Sequence, residues 1–250
     1  MEPDTDIGGP HQRFPRTNHS AIVGARSSDQ QIRQRAFDTI LANYWKPAYK
    51  YIRLKWHATN EDAKDLTQGF FLDAFEKNHF AGYDAEKASF QTFLRTCLDG
   101  FVSNQKKAAA RLKRGGDVDH FSLDFISAED EFALRDPALT LTPEDFFYRE
   151  WVRSLFTLAV NKLREQCLQR KKSIHFQLFE SYDLGDDPAE KLSYASLAEK
   201  FALDQATVTN YLAATRRDFR RIVLDELRQI TATEAEFRRE AKALLGVDAA

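Results

Sequence analysis

The sequence contains little cysteine, proline or glycine, and these shortages exclude several classes of protein. Its 250 residues include two cysteines, seven prolines and ten glycines. Two cysteines are too few for a disulfide-stapled secreted scaffold, so we expect a reducing, cytoplasmic compartment. No basic-then-apolar pattern stands at the N-terminus, and no apolar run reaches the roughly 18 to 20 residues that span a bilayer. The long stretches without proline favour helices.

The residue patterns of common catalytic and metal sites are also missing. The six histidines are scattered, and none has the four-residue helical spacing of a zinc site. The sequence has no phosphate-binding glycine loop and no nucleophile elbow. Acid pairs such as Asp62 and Asp65 are typical of solvated surface charge, whereas Cys97 and Cys167 lie on apolar stripes. We therefore expect a protein that is not an enzyme and holds neither cofactor nor metal.

The apolar residues that are present recur at helical spacing, which predicts an all-α fold. Hydrophobic residues make up 43% of the chain and charged residues 30%, enough apolar content for a core. A long amphipathic stripe begins at Ser28, and Pro47 within it predicts a kink or a break. Asn60 is expected to cap a second helix, and a third begins at Ser89.

Changes in charge divide the chain into two predicted helical domains joined by a flexible acidic linker. The linker holds seven acids and a single basic residue, Arg135, whereas Thr142-Pro143 is a typical helix start. The alternative to an extended linker is that its apolar residues dock on the protein, and these are Phe121, Leu123, Phe125 and Ile126. The predicted units are a flexible N-terminal tail over 1–27, a first domain over 28–116, the linker over 117–141, a second domain over 142–230, and a C-terminal helical extension over 231–250.

A helix-turn-helix pattern in the second domain is the strongest local signal. Leu197 belongs to a short first helix, Asp204 can cap the next one, and Val208 and Leu212 point back onto the first. A helical hairpin with a solvated basic face is the alternative interpretation of this pattern. The outward side chains that could contact base edges or phosphates are Gln205, Thr207, Thr209, Asn210, Tyr211, Arg216, Arg217, Arg220 and Arg221.

Two segments resemble conserved regions of bacterial RNA polymerase sigma factors of the extracytoplasmic-function type. Residues 61–71 read Glu-Asp-Ala-Lys-Asp-Leu-Thr-Gln-Gly-Phe-Phe. The second region of that family commonly reads Asp-Ala-Glu-Asp-Leu-Thr-Gln-Glu-Val-Phe. Residues 193–216 are similar to the fourth region, and the two regions occur in the family order within residues 28–228. Further matching positions are Tyr44, Pro47, Tyr49, Tyr51, residues 83–90, Phe93 and Leu94.

The resemblance implies partners and binding residues that composition could not indicate. Core RNA polymerase and promoter DNA are the implied partners, with an anti-sigma factor or other regulator as a further one and no membrane insertion. The residues implied in polymerase binding are Asp62, Asp65, Gln68 and Asp73. Those implied in capturing the unpaired −10 promoter element are Tyr83, Ser103, Asn104, Lys106, Lys107 and Arg111. Those implied in recognising the duplex −35 element are Gln205, Thr207, Thr209, Asn210, Tyr211, Arg216, Arg217 and Arg220.

Some positions depart from the family pattern. Gly69 replaces a usual glutamate, and Asp99-Gly100 stands where Arg-Asn is common. Ala202 replaces the usual turn glycine, which is tolerated if the turn avoids positive φ. The expected function is that of a sigma factor. The alternatives are a stand-alone helix-turn-helix regulator with a sigma-like fold and a helical interaction module that does not contact DNA.

Overall fold

The computed structural model describes residues 20–109, 122–133, 141–185 and 192–246. All regular structure in these ranges is helical, which confirms the all-α prediction. None of the described helices combines the length and the apolarity of a membrane span. The elements are α1 (Ala21–Gly24), α2 (Gln30–Lys55), α3 (Asn60–Glu76), a 3-10 turn (His79–Gly82), α4 (Phe90–Ala109), α5 (Phe125–Ala133), α6 (Pro143–Gln169), α7 (Ser173–Asp183), α8 (Tyr194–Lys200), α9 (Gln205–Gln229) and α10 (Glu234–Leu245).

Short polar side chains cap the N-termini of most of these helices by accepting hydrogen bonds from backbone N–H groups that would otherwise be unpaired. Thr142 caps α6 and Asp204 caps α9, as the sequence predicts. The cap of α3 is Thr59 and not the expected Asn60. Asn60 instead accepts a hydrogen bond from the Tyr49 hydroxyl at 2.8 Å, which links the start of α3 to α2.

Helix α2 is continuous through its proline. It runs over 26 residues with Pro47 inside, so the predicted break is wrong. An internal proline costs roughly 3 kcal/mol because it removes a hydrogen bond and crowds the preceding turn. Tyr44, Tyr49 and Ile52 on either side are all 0% exposed. Burial of such side chains contributes about 1.5–3 kcal/mol each, which outweighs the proline penalty.

Helices α2 and α6 lie against each other and share one core. The rings of Tyr44 and Trp151 stack with centroids 6.4 Å apart, and those of Tyr51 and Phe147 meet edge-on at 5.4 Å. The other half of α6 packs against α7 and α9. Buried residues from both predicted domains therefore form one continuous cluster, and the division into two domains is not confirmed.

Part of the predicted linker is a helix that docks on α2. Phe125 of α5 is buried between the rings of Trp45 and Tyr49, at 5.4 and 5.2 Å between centroids. The expectation of an extended, flexible linker is wrong for residues 125–133, because this helix finds an aromatic pocket on α2. The rest of the predicted linker, apart from residues 122–124 and 141, lies outside the described residues.

The acids of α5 pair with a row of basic residues on α2. Glu131 accepts hydrogen bonds from Lys46 at 2.7 Å and Lys50 at 2.6 Å, and Glu129 accepts one from Arg53 at 2.7 Å. Burial opposes the ionisation of Glu131, but the two lysines prevail and hold its pKa below the usual range. The stabilisation that this carboxylate contributes is therefore present near neutral pH and is lost as the pH falls through the lowered pKa.

The N-terminal helix α1 covers the start of α2. Its cap Ser20 accepts a hydrogen bond from the Ile22 amide at 3.2 Å, and Ile22 is 0% exposed. A Cβ added at Gly24 would come within 3.1 Å of the Ala36 Cβ, so glycine permits this close approach. Residues 20–27 were expected to belong to a flexible tail, but this packing orders α1. Residues 1–19 lie outside the described part of the chain.

Helix α10, within the predicted C-terminal extension, returns to the start of α4. Its Glu236 side chain is 2% exposed and accepts three hydrogen bonds. The donors are the Tyr83 hydroxyl at 2.6 Å, the Phe90 amide at 3.1 Å and the Ala232 amide at 2.7 Å. One buried carboxylate thus satisfies N–H groups at the beginnings of both α4 and α10.

Candidate nucleic-acid interface

Helices α8 and α9 form a short hairpin held on a rigid base. Leu197 of α8 and Val208 and Leu212 of α9 are each 0% exposed, as expected from their spacing. Phe219 lies deeper along α9, where rings from α6 and α7 approach it to 5.8 and 5.2 Å between centroids. This packing fixes the orientation of α9 and leaves its opposite side outward.

The turn between α8 and α9 passes through left-handed backbone. Ala202 has a φ of +52°, so the condition under which alanine would be free of strain in this turn is not met. Two hydrogen bonds close the turn, from the Ala202 amide to the Glu199 carbonyl at 3.2 Å and from the Leu203 amide to the Ala198 carbonyl at 2.9 Å. An L-residue in this region costs roughly 1–2 kcal/mol, a penalty that glycine avoids.

Substituting Ala202→Gly should therefore raise the free energy of unfolding by about 0.5–1 kcal/mol. The substitution removes the backbone strain of the folded state, and this gain exceeds the cost of the extra conformational entropy that glycine gives the unfolded chain. Equilibrium urea unfolding followed by circular dichroism measures this change. The matched control is Ala206→Gly, in the exposed first turn of α9, which should lower the free energy of unfolding by about 0.5–1 kcal/mol. A loss of stability in both variants would contradict strain at Ala202.

The outward face of α9 carries uncharged polar residues near its start and arginines further on. Gln205, Thr209 and Asn210 are exposed in the first two turns. Arg217 and Arg220 are exposed in later turns and form no ion pair with any described residue. These five side chains are the predicted −35 contacts that the structure leaves accessible.

Two other predicted −35 contacts are partly used within the protein. The Thr207 hydroxyl donates to the Asp204 carboxylate at 2.5 Å and so belongs to the cap of α9. The Tyr211 ring stacks on the imidazole of His175 from α7, with centroids 3.8 Å apart. Sequence spacing could not indicate the second contact, because His175 lies on a different helix.

Arg216 is engaged in a structural ion pair. Its guanidinium donates to both carboxylate oxygens of Asp183 at 2.9–3.2 Å and to the Tyr194 hydroxyl at 3.1 Å. The hydrogen bonds that the Arg216 guanidinium donates to Asp183 raise the pKa of the guanidinium above its usual value. Arg216 therefore ties the ends of α7 and α8 to α9, and the DNA contact expected of it competes with this role.

The predicted polymerase-binding residues on α3 divide into two groups. Asp62 and Asp65 are exposed on the side of α3 away from the core. Asp73 pairs with Lys77 at 2.5 Å one turn later. Gln68 is only 8% exposed, because it lies on the buried side of the helix. The accessible part of this candidate surface is therefore the acidic pair in the first two turns.

At two positions where the sequence departs from the sigma-factor pattern that it resembles, the structure shows specific contacts. Gly69 lies against the Phe101 ring of α4, and an added Cβ would come within 3.3 Å of Phe101 Cζ. A glutamate at Gly69 would thus require the ring to move. Asp99 accepts hydrogen bonds from the Tyr51 hydroxyl at 3.0 Å and the Lys55 ammonium at 2.9 Å. These contacts join α4 to α2, so the carboxylate at this position stabilises the fold.

Tyr83, a predicted −10 contact, is buried. It is 3% exposed, and its hydroxyl lies 2.6 Å from Glu236 and 2.9 Å from the Ala88 carbonyl. Burial and then the hydrogen bond to Glu236 raise the pKa of the Tyr83 hydroxyl. The sequence did not indicate this burial, because Glu236 is 153 residues away.

The remaining predicted −10 contacts lie on α4 or beyond it. Asn104 and Lys107 are exposed, whereas Ser103 is half-buried. The Lys106 ammonium donates to the Trp56 carbonyl at 2.9 Å and lies over the Trp56 indole, 5.1 Å from the ring centroid. Arg111 lies outside the described residues. Asn104, Lys106 and Lys107 are thus the exposed members of this set, and the Lys106 ammonium is held by an internal hydrogen bond.

The groups brought to the surface are suited to binding nucleic acid and a basic protein surface. Amides, hydroxyls and guanidiniums on α9 can donate to bases and phosphates, and carboxylates on α3 can meet cations. Within the described ranges no three His, Cys, Asp or Glu side chains are placed to hold a metal ion. No family model, no curated protein and no solved structure matches the chain.

Proposed function

We propose that this chain is a sigma factor of the extracytoplasmic-function type, which binds core RNA polymerase and directs promoter recognition and transcription initiation. The observation that carries the proposal is the outward face of α9. Its exposed Gln205, Thr209 and Asn210 precede the unpaired Arg217 and Arg220 on a well-supported helix. A helix of this kind enters the major groove with polar side chains at base edges and arginines at phosphates.

The polymerase partner is supported by α3. Its sequence resembles the polymerase-binding region of the family, and Asp62 and Asp65 of that stretch are exposed. Their carboxylates are free of ion pairs with the described residues, so they are available to cations of a partner. On the same proposal, Asn104 and Lys107 of α4 meet the unpaired −10 strand, and Tyr83 joins them once it is released from Glu236.

A stand-alone helix-turn-helix regulator is the second candidate function. The packing of α2 against α6 favours it, because a single body with a shared core needs no polymerase to set the spacing of its parts. The burial of Tyr83 favours it as well, since a duplex-binding regulator does not use this side chain.

Transcription by core polymerase distinguishes the two functions. We expect the purified chain to make core polymerase start at defined promoters, and we expect Asp65→Arg to weaken co-purification with core polymerase without changing helical content. Asp130→Arg, at an exposed acid on α5, is the matched control and should co-purify normally. Unchanged co-purification of Asp65→Arg would contradict this surface. Sequence-specific DNA binding by a polymerase-free dimer would favour the regulator.

A further inference from the structure

The corner between α6 and α7 is a compact basic surface. Arg170, Lys171 and Lys172 follow one another there, and all three are exposed. Lys171 and Lys172 form no ion pair with any residue that the structure describes, and Arg170 is 3.8 Å from a single acid, Asp218. Three adjacent cations with so little internal compensation attract an anionic partner.

The backbone holds this corner in one shape. Lys171 has a φ of +56°, and its amide donates to the Leu168 carbonyl at 3.0 Å. The Lys172 amide donates to the Cys167 carbonyl at 2.8 Å. The corner is thus an ordered feature of the fold, and its backbone fixes the points from which the three basic side chains extend.

The corner lies beside the outward face of α9. His175, just after it, stacks on Tyr211, and Arg170 approaches Asp218. Tyr211 directly follows the outward Asn210, and Asp218 directly follows the outward Arg217. Successive residues of a helix are about 100° apart around its axis, so Tyr211 and Asp218 lie beside the outward face. The corner therefore flanks the same helix face that carries the proposed base and phosphate contacts.

A helix in the major groove has a sugar-phosphate backbone on either side, and elements beside the helix meet those phosphates. We infer that Lys171 and Lys172 bind phosphates of the DNA strand that borders the groove occupied by α9. This inference rests on the proposed DNA-binding role of α9 and extends its contact surface to the preceding corner. Arg170 stays near Asp218, where it offsets an acid that would otherwise repel the strand.

Phosphate contacts are measurable through the salt dependence of binding. The probe is a random-sequence 30-base-pair duplex (a length of roughly three turns), because sequence-independent affinity comes from phosphate contacts alone. The double variant Lys171→Gln with Lys172→Gln should bind more weakly than the unmodified full chain. Its slope of log affinity against log salt concentration should be shallower by about 1.8, or about 0.9 for each lost phosphate contact.

Two further double variants separate the inference from the proposed function. Arg35→Gln with Lys87→Gln removes two exposed cations elsewhere and should leave the slope unchanged. Arg217→Gln with Arg220→Gln tests α9 itself and should reduce the slope. If this α9 variant loses affinity while the corner variant binds like the unmodified chain, the inference about the corner is wrong and the proposed function stands. If the α9 variant binds like the unmodified chain, or if the chain does not bind the duplex at low salt, the proposed DNA-binding role of α9 is wrong as well.

Discussion

Substituting Lys50→Met should lower the free energy of unfolding by roughly 3–5 kcal/mol, because the buried Glu150 carboxylate loses its buried cationic partner. The Lys50 ammonium lies 2.7 Å from Glu150, and the two side chains are 2% and 4% exposed. Arg153 also donates to Glu150, but Arg153 is 40% exposed and meets it from the solvent side. Lys50 additionally holds Glu131, so the substitution weakens the contacts of α2 with both α5 and α6.

Chemical denaturation of three variants tests whether buried charge is the cause. The double variant Lys50→Met with Glu150→Leu should recover most of the loss, since an apolar pair of similar size is often as stable as a buried ion pair. Lys46→Met is the matched control, because Lys46 binds the same Glu131 from a more exposed position. This substitution should lower the free energy of unfolding by less than about 1 kcal/mol. A double variant no more stable than Lys50→Met alone would contradict the explanation.

Substituting Glu236→Ala should lower the free energy of unfolding by roughly 2–4 kcal/mol, because it removes a charged acceptor from three hydrogen bonds. Two of the donors are amides at helix starts, and the third is the Tyr83 hydroxyl. Hydrogen exchange offers a local readout, since the Phe90 amide loses its acceptor and should exchange faster.

Two single substitutions serve as references for Glu236. Tyr83→Phe removes one of the three donors and should cost about 1 kcal/mol. Glu234→Ala changes an exposed acid on the same helix and should stay within about 0.5 kcal/mol of the unmodified chain. Equal, small effects of Glu236→Ala and Glu234→Ala would show that the buried carboxylate does not hold α10 in place.

Features with a local cause were predictable from the sequence. The period of apolar residues predicts helices, and short polar residues before an apolar run predict caps such as Thr142 and Asp204. The inward position of Val208 and Leu212 follows from the same period. Each of these signals depends on residues three or four apart, and that is the range over which a helix alone determines contacts.

Contacts between distant segments were not predictable in this way. Arg216 has the sequence context of a phosphate contact, but its partner Asp183 is 33 residues away. Tyr83 has the context of a surface aromatic, but α10 covers it. The acids of α5 suggest a solvated linker until α2 is seen to place basic residues opposite them. In each case the chemistry of the side chain was evident from the sequence, and only tertiary packing determined its partner.

The meeting of α2 with α6 also governs when the protein can fold during synthesis. Lys50 and Glu150 are 100 residues apart, and a ribosome adds about 5–20 residues per second. The side of α2 that faces α6 therefore stays uncovered for roughly 5–20 seconds after it is made. During this interval Tyr44 and Tyr51 lack the rings of α6, and the nascent chain carries an apolar surface of the kind that chaperones bind. The first helices thus complete their packing only after the chain has been translated beyond Trp151.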